Sequence, residues 1–308
     1  MNSIKEIDSL STILSDKIET LKKGFEKFKI KSASKKLSPR VRNKKKGKVA
    51  GNVPENKDMI FVQGGKYKPS FFNEEREIGD LEVCKYQTTQ DMWTEVMENN
   101  PSNWRGRRLP VEQVSWWDAL ECCNRLSEKY GFQPVYVIEK NEERIILKIN
   151  QLDGEVVYPD LADFKKTEGY RLPTELEWEW FARGGEVAIQ DGTFDTDYAG
   201  SNNIDEVAWY RDNSGEKTHA VGMKKPNELG IYDCSGNTEE WCYDTSENGY
   251  ISEDKPYIYD ESINNRRIRG GCWRDYYTRC GVTYRDGLSG NHNYSYKYFI
   301  GFRIVRSV

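Results

Sequence analysis

Apolar positions at the start of the chain recur every three to four residues, as Ile4, Ile7, Leu14, Ile18, Leu21, Phe25 and Phe28, with Ser11 the one polar residue in the seam. This spacing predicts an amphipathic helix over residues 1–30. A lone helix of that length is marginal in water, so its stripe calls for a covering surface. A coiled coil through residues 4–28, giving a homo-oligomer, is one cover, and the chain's own body is the other. From Asp58 onward, helical and strand-like patterns mix without a βαβ rhythm, which predicts an α+β fold. Three hydroxyl and carboxylate pairs mark helix starts: Thr88 with Asp91, Ser115 with Asp118, and Thr174 with Glu177. In each, the hydroxyl and the carboxylate can satisfy free backbone amides. Pro173 and Gly184 bracket the third helix. Between Val135 and Tyr158, alternating runs separated by polar turns predict a small antiparallel insertion.

Charge divides the chain. Residues 1–50 hold fifteen Lys or Arg against five Asp or Glu, a net +10, so a total of −4 leaves −14 for the remainder. Lys31 to Lys48 carries nine cations, no anion and no period, and residues 31–57 read as a basic linker. No aromatic interleaves with these cations to stack a base, so nucleic acid is not the expected partner. Apolar residues make up 37% and Trp, Tyr and Phe together 13%, so the core must be built largely from rings with polar handles. Seven cysteines without a CxxC pair argue for small reduced core residues rather than a disulfide framework. No signal-peptide pattern and no apolar run of about 18 residues is visible, which predicts a soluble cytoplasmic chain with no membrane span. Two histidines, His219 and His292, are too few for a multi-histidine iron or zinc site, and no GxSxG elbow is present.

Six segments then fall in order along residues 58–308: MIFVQGGKY at Met59, VSWWDALECCNRLSEKYG at Val114, GYRLPTELEWEWFARGG at Gly169, KKPNELGIYDCSGNTEEWC at Lys224, RIRGGCW at Arg267 and GFRIVRS at Gly301. Together they resemble the formylglycine-generating-enzyme, or sulfatase-modifying-factor, family. The resemblance implies a C-type-lectin-like fold with short strands, few helices and long loops. In it Trp178, Trp180 and Trp241 are core rings, and Arg171 and Arg303 buried ion-pair partners. The family's enzymes hold copper between two cysteines four and nine residues beyond the second glycine of RGG, and oxidise a substrate cysteine. Here those positions are Asp275 and Cys280. A carboxylate is a poor replacement for a soft thiolate, so copper and catalysis are not expected. The alternative is a copper oxidase that recruits Cys272 beside Cys280. The family's structural calcium site maps onto Asp233, Gly236, Thr238 and Glu240, a mixed oxygen set suited to Ca²⁺.

Residues 274–298 form a final cassette. It holds Asp275, Tyr276, Tyr277, Tyr284, Asp286, Asn291, His292, Asn293, Tyr294, Tyr296 and Tyr298, fenced by RGGCW before and GFRIV after. No helix or strand period organises them. The layout resembles the variable proteins of diversity-generating retroelements, which rewrite adenine-bearing codons of surface positions near the C-terminus of a C-type-lectin fold. Tyrosine gives large amphipathic contact area at low entropic cost, and Asn, Asp and Ser adapt their hydrogen bonds, as in an antibody paratope. The expected function is therefore a non-catalytic display domain. Its expected ligand is a protein or glycan, bound at the C-terminal surface.

Overall fold

The computed structural model describes residues 56–140, 145–246, 257, 259–261, 264–290 and 298–308. Residues 52–308 form one compact unit. The predicted amino-terminal helix and all but the last two residues of the basic linker lie outside the described residues. Short strands dominate. Strand β1 (Met59–Val62), the hairpin of β2 (Gly65–Tyr67) with β3 (Arg76–Ile78), and β4 (Leu81–Cys84) precede helices α1 (Gln90–Thr94) and α2 (Trp116–Lys129). The expected insertion follows as β5 (Tyr136–Lys140), β6 (Ile145–Asn150) and β7 (Val156–Val157), an antiparallel three-stranded sheet. Helices α3 (Glu175–Ala182), α4 (Gly185–Asp191) and α5 (Ile204–Val207) lead to β8 (Glu239–Thr245), β9 (Asn265–Arg269), β10 (Arg285–Ser289), β11 (Ile300–Phe302) and β12 (Val305–Ser307). This is the α+β, C-type-lectin-like architecture.

Two sheets set the frame. One has the order β1-β4-β12, all antiparallel, so β4 is flanked by β1 on one side and by the last strand, β12, on the other. The other has the order β10-β9-β8-β11, with β11 parallel to β8. Every residue of β8 is buried, although its sequence is EEWCYDT. Such a strand requires internal partners for its charges. Glu240 meets Arg303 through two contacts, Nη2 to Oε1 at 2.7 Å and Nε to Oε2 at 3.1 Å, with both side chains fully shielded. Arg303 also donates to Cys84 O and Tyr232 O, and Trp178 Nε1 donates to Glu240.

Helix α3 is buried on every side, so it too carries paired charges. Its Glu175 binds Arg269 and Arg285, and its Glu179 binds Arg269 and Arg183. Burial opposes ionisation of Glu175, yet these guanidinium groups hold its carboxyl below the usual range. The capping boxes at Ser115 and Thr174 both form as the sequence predicts. The first predicted start shifts by one residue. Thr89 caps α1, because Thr88 is held in the sheet region, its amide donating to Phe302 O and its carbonyl accepting from Val111 N. Among the described residues no helix is long and apolar enough to cross a membrane. All seven cysteines are buried and unpaired.

Replacing Arg303 by Met should strand the Glu240 charge and cost about 3–5 kcal/mol in urea unfolding. Pairing it with Glu240→Gln should cost less than the two single losses combined. A single-variant loss under about 1 kcal/mol would contradict the frame role assigned to this pair.

Candidate functional site

The cassette begins where β9 ends. Gly270 and Gly271 take left-handed φ values of 91° and 67° and lie against neighbouring backbone. A Cβ on Gly270 would sit 2.9 Å from Cys234 O, and one on Gly271 2.7 Å from Arg279 O, so only glycine allows this turn. Beyond it the chain makes a 3-10 turn over Tyr277–Arg279, returns as β10, and rejoins the frame through β11.

Described cassette residues divide by burial. Tyr276 and Tyr277 are 55% and 53% exposed, and Arg274, Thr278 and Arg279 are also exposed. Cys280 and Val282 point into the core, and Arg269 Nη2 donates to Val282 O at 2.8 Å, tying the loop to the α3 charge network. Arginines stand against the tyrosines: Arg211 lies 4.3 Å from the Tyr276 ring centroid, Arg279 5.6 Å from that of Tyr284, and Arg274 5.6 Å from that of Tyr298. Tyr284 donates to Asp286 at 3.2 Å, and Arg279 approaches Asp286 at 3.6 Å.

Two expected contact residues have other roles. Asp275 is mostly covered. Its Oδ2 accepts from Cys272 N and Cys272 Sγ, both at 3.0 Å, so it fastens the turn after Gly271 instead of facing solvent. Tyr298 is half-buried and packs in an aromatic group with Trp273 and Trp104, with Arg274 Nη1 donating to its hydroxyl. Asn291, His292, Asn293, Tyr294 and Tyr296 lie outside the described residues.

Trp104 and its neighbours were not legible as part of this face. The Trp104 ring meets Trp273 edge-on at 4.9 Å. Its loop, residues 100–108, carries the exposed Arg105 and is held from below. Gln90 Nε2 donates to Trp104 O at 2.7 Å, and Glu112 Oε1 accepts from the amides of Asn103 and Trp104. The only sequence signal was a tryptophan among arginines, SNWRGRR, outside any apolar period. Arg211 likewise comes from a distant segment.

Both cysteine thiols of the cassette region are fully buried. Burial pushes both Cys272 and Cys280 far above the ordinary thiol range, and the carboxyls of Glu239 and Asp275 push the same way. Copper ligation and nucleophilic chemistry both need a thiolate. Glu239 itself is buried with Oε2 unpartnered, and burial, then Asp275 and Asp286, raise its pKa well above the carboxylate range. No group of three His, Cys, Asp or Glu side chains among the described residues is arranged to hold a metal ion.

The four residues expected to bind calcium do converge on one point. Asp233 O, Gly236 O, Thr238 O and Glu240 Oε1 lie 3.0, 3.3, 2.8 and 3.2 Å from a single atom, Gln87 Nε2. The side chain of Asp233 is turned elsewhere, its Oδ2 accepting from Gly222 N at 2.8 Å.

Burial raises the Glu112 carboxyl to about 7, opposed by the amides of Trp104 and Asn103. Between about 4.5 and 7 the folded state therefore keeps a proton that the unfolded state has released. That contribution is complete below about 4.5 and is lost as pH rises through 7. Glu112→Gln should lose less melting temperature than the parent between pH 5 and pH 7.5, the remaining slope coming from Asp233 and Glu239, which are also raised. Equal slopes would contradict the assignment.

Comparison with known proteins matches this geometry. The chain is 35% identical to chaperone protein LppX of Paenibacillus barcinonensis over 279 residues, 84% of this chain and 92% of that one. Treponema denticola variable protein 1 superposes with a TM-score of 0.63 at 28% identity, covering 81% of this chain and 95% of that one. The crystal structure of CarF superposes with a TM-score of 0.58 at 26% identity, covering 83% of this chain and 99% of that one. Resemblance to the variable proteins thus extends from the cassette's composition to the fold that carries it. The model of the sulfatase-modifying factor enzyme 1-like domain matches residues 45–308, and the chain belongs to that family.

Proposed function

We propose that the protein is a non-catalytic ligand-binding display protein, a candidate variable protein of a diversity-generating retroelement. Its contact surface is the exposed part of residues 274–298. The observation that carries this reading is the split at the cassette: exposed Tyr276, Tyr277, Arg274 and Arg279 stand on a turn whose inward residues are fully buried in the frame. Side chains that contribute nothing to the core are free to be exchanged, and tyrosine and arginine are the residues that most often dominate interface energy. Stacked guanidinium and phenol rings supply flat amphipathic area with donors at the rim. This chemistry suits a protein or glycan partner.

Likeness to Treponema denticola variable protein 1 supports the reading. The Paenibacillus relative, a chaperone protein, fits binding better than covalent chemistry. Oxidation of a peptide cysteine at Cys272 and Cys280 would have to start from two shielded, protonated thiols beside carboxyls.

With a binding partner selected from displayed peptides or arrayed glycans, replacing Tyr276 and Tyr277 together by Ala should weaken binding at least about tenfold, a loss of about 1.4 kcal/mol. Stability should stay within about ±0.5 kcal/mol per residue, since both rings are exposed. Unchanged binding would remove the proposed face. Copper-dependent, oxygen-dependent turnover of a cysteine peptide that Cys280→Ser abolishes would replace the proposal with the oxidase reading.

A further inference from the structure

Gln87 is fully buried, and its amide nitrogen lies within 3.3 Å of three main-chain carbonyls and one carboxylate oxygen. The carbonyls come from the turn 233–238, where Asp233, Gly236 and Asn237 have left-handed φ values of 59°, 78° and 63°. Those reversals aim successive C=O groups inward at one point. Such a convergence of oxygens repels itself unless a donor or a cation stands at its centre. Here the centre holds a neutral NH₂ group, whose two hydrogens are shared among the four acceptors.

The charge balance around this point leaves little for a metal. Glu240 is the one carboxylate that faces it, and Arg303 already compensates that charge with two contacts of 2.7 and 3.1 Å. Trp178 Nε1 takes a further bond to the same carboxylate at 2.9 Å. One oxygen of the Asp233 carboxylate, expected from the family resemblance to be a ligand, accepts from Gly222 N, and the other, Oδ1, is buried without a hydrogen-bond partner. Calcium affinity depends on how many charged oxygens a site offers, and a single neutralised carboxylate with three carbonyls offers few. An ion at the centre would also have to displace the Gln87 amide, which has no solvent to move into.

We propose that the Gln87 carboxamide takes the place of the structural calcium ion, so that this chain builds the metal site's backbone cage and closes it with its own side chain. Gln87 thereby ties the segment after β4 to a turn about 150 residues later in the chain without a cofactor. The unpartnered Gln87 Oε1 is the residual cost of this arrangement.

The test uses the full chain. Elemental analysis of the purified protein after dialysis against calcium should find no stoichiometric ion, and its melting temperature should be the same in calcium chloride and in EDTA. Gln87→Met, which keeps the shape and removes the donors, should melt several degrees lower in both. Gln87→Glu replaces the donors by a second carboxylate, so it should be unstable in EDTA and recover in calcium. One calcium ion per chain in the unsubstituted protein, or a fall in its melting temperature in EDTA, would overturn the proposal. So would a Gln87→Met variant as stable as its parent in EDTA. If neither variant folds, the metal content and calcium response of the unsubstituted protein still decide.

Discussion

The buried pair of Arg303 and Glu240 is the constraint around which the domain is arranged. Neither side chain is exposed, and each uses nearly every polar atom it has: Arg303 reaches Cys84 O, Tyr232 O and Glu240, while Glu240 meets Arg303, Trp178 and Gln87. Those contacts join β4, helix α3, the turn before β8 and the link between β11 and β12. Two charges in such a place are tolerated only with full compensation, because a single uncompensated charge costs several kcal/mol. The sequence between Phe302 and Val305 is thereby fixed to one register against β8, and the two main sheets are locked at their shared edge.

That lock explains why the preceding stretch can be freed for contact. The C-terminal loop is bounded by β9 with its paired glycines on one side and by β11 on the other, and it touches the frame at Cys280, Val282 and the Asp275 turn. Between these anchors Arg274 and residues 276–279 are exposed. A face of this kind needs no chemistry of its own. The shielded thiols beneath it, with carboxyls beside them, lack the electropositive surroundings that lower a thiol's pKa. A fixed wall stands next to it, where Gln90 and Glu112 hold the Trp104 loop against Trp273 and Tyr298.

What could be read from the sequence is what depends on near neighbours. The boxes at Ser115 and Thr174 follow from residues three positions apart, and the insertion strands follow from alternation. Thr88 misled because its amide is claimed by Phe302, a residue more than 200 positions away, and local spacing carries no trace of that bond. The four acceptors around Gln87 were legible as a set through the family resemblance, which carries the calcium site onto Asp233, Gly236, Thr238 and Glu240. Gln87 was not, because it comes from 146 residues upstream of the first of them. Asp275 was placed at the surface by composition alone, and the Cys272 amide and thiol draw it inward. Trp104 and Arg211 join the proposed contact face only through tertiary packing, so composition near the C-terminus could not include them.

Burial sorts the described residues among the last forty into positions free to change and positions that are not. Arg274, Tyr276 and Tyr277 belong to the first set, and Gly270, Gly271, Cys280, Val282, Phe302 and Arg303 to the second, while Tyr284 and Asp286 are half-buried. The most direct measurement is deep sequencing of this coding region across many isolates of the source population. The account predicts substitutions concentrated at adenine-bearing codons of the exposed positions between residues 274 and 298, with the second set invariant. A cassette that varies no more than the rest of the domain, or variation that falls equally on its buried anchors, would contradict it.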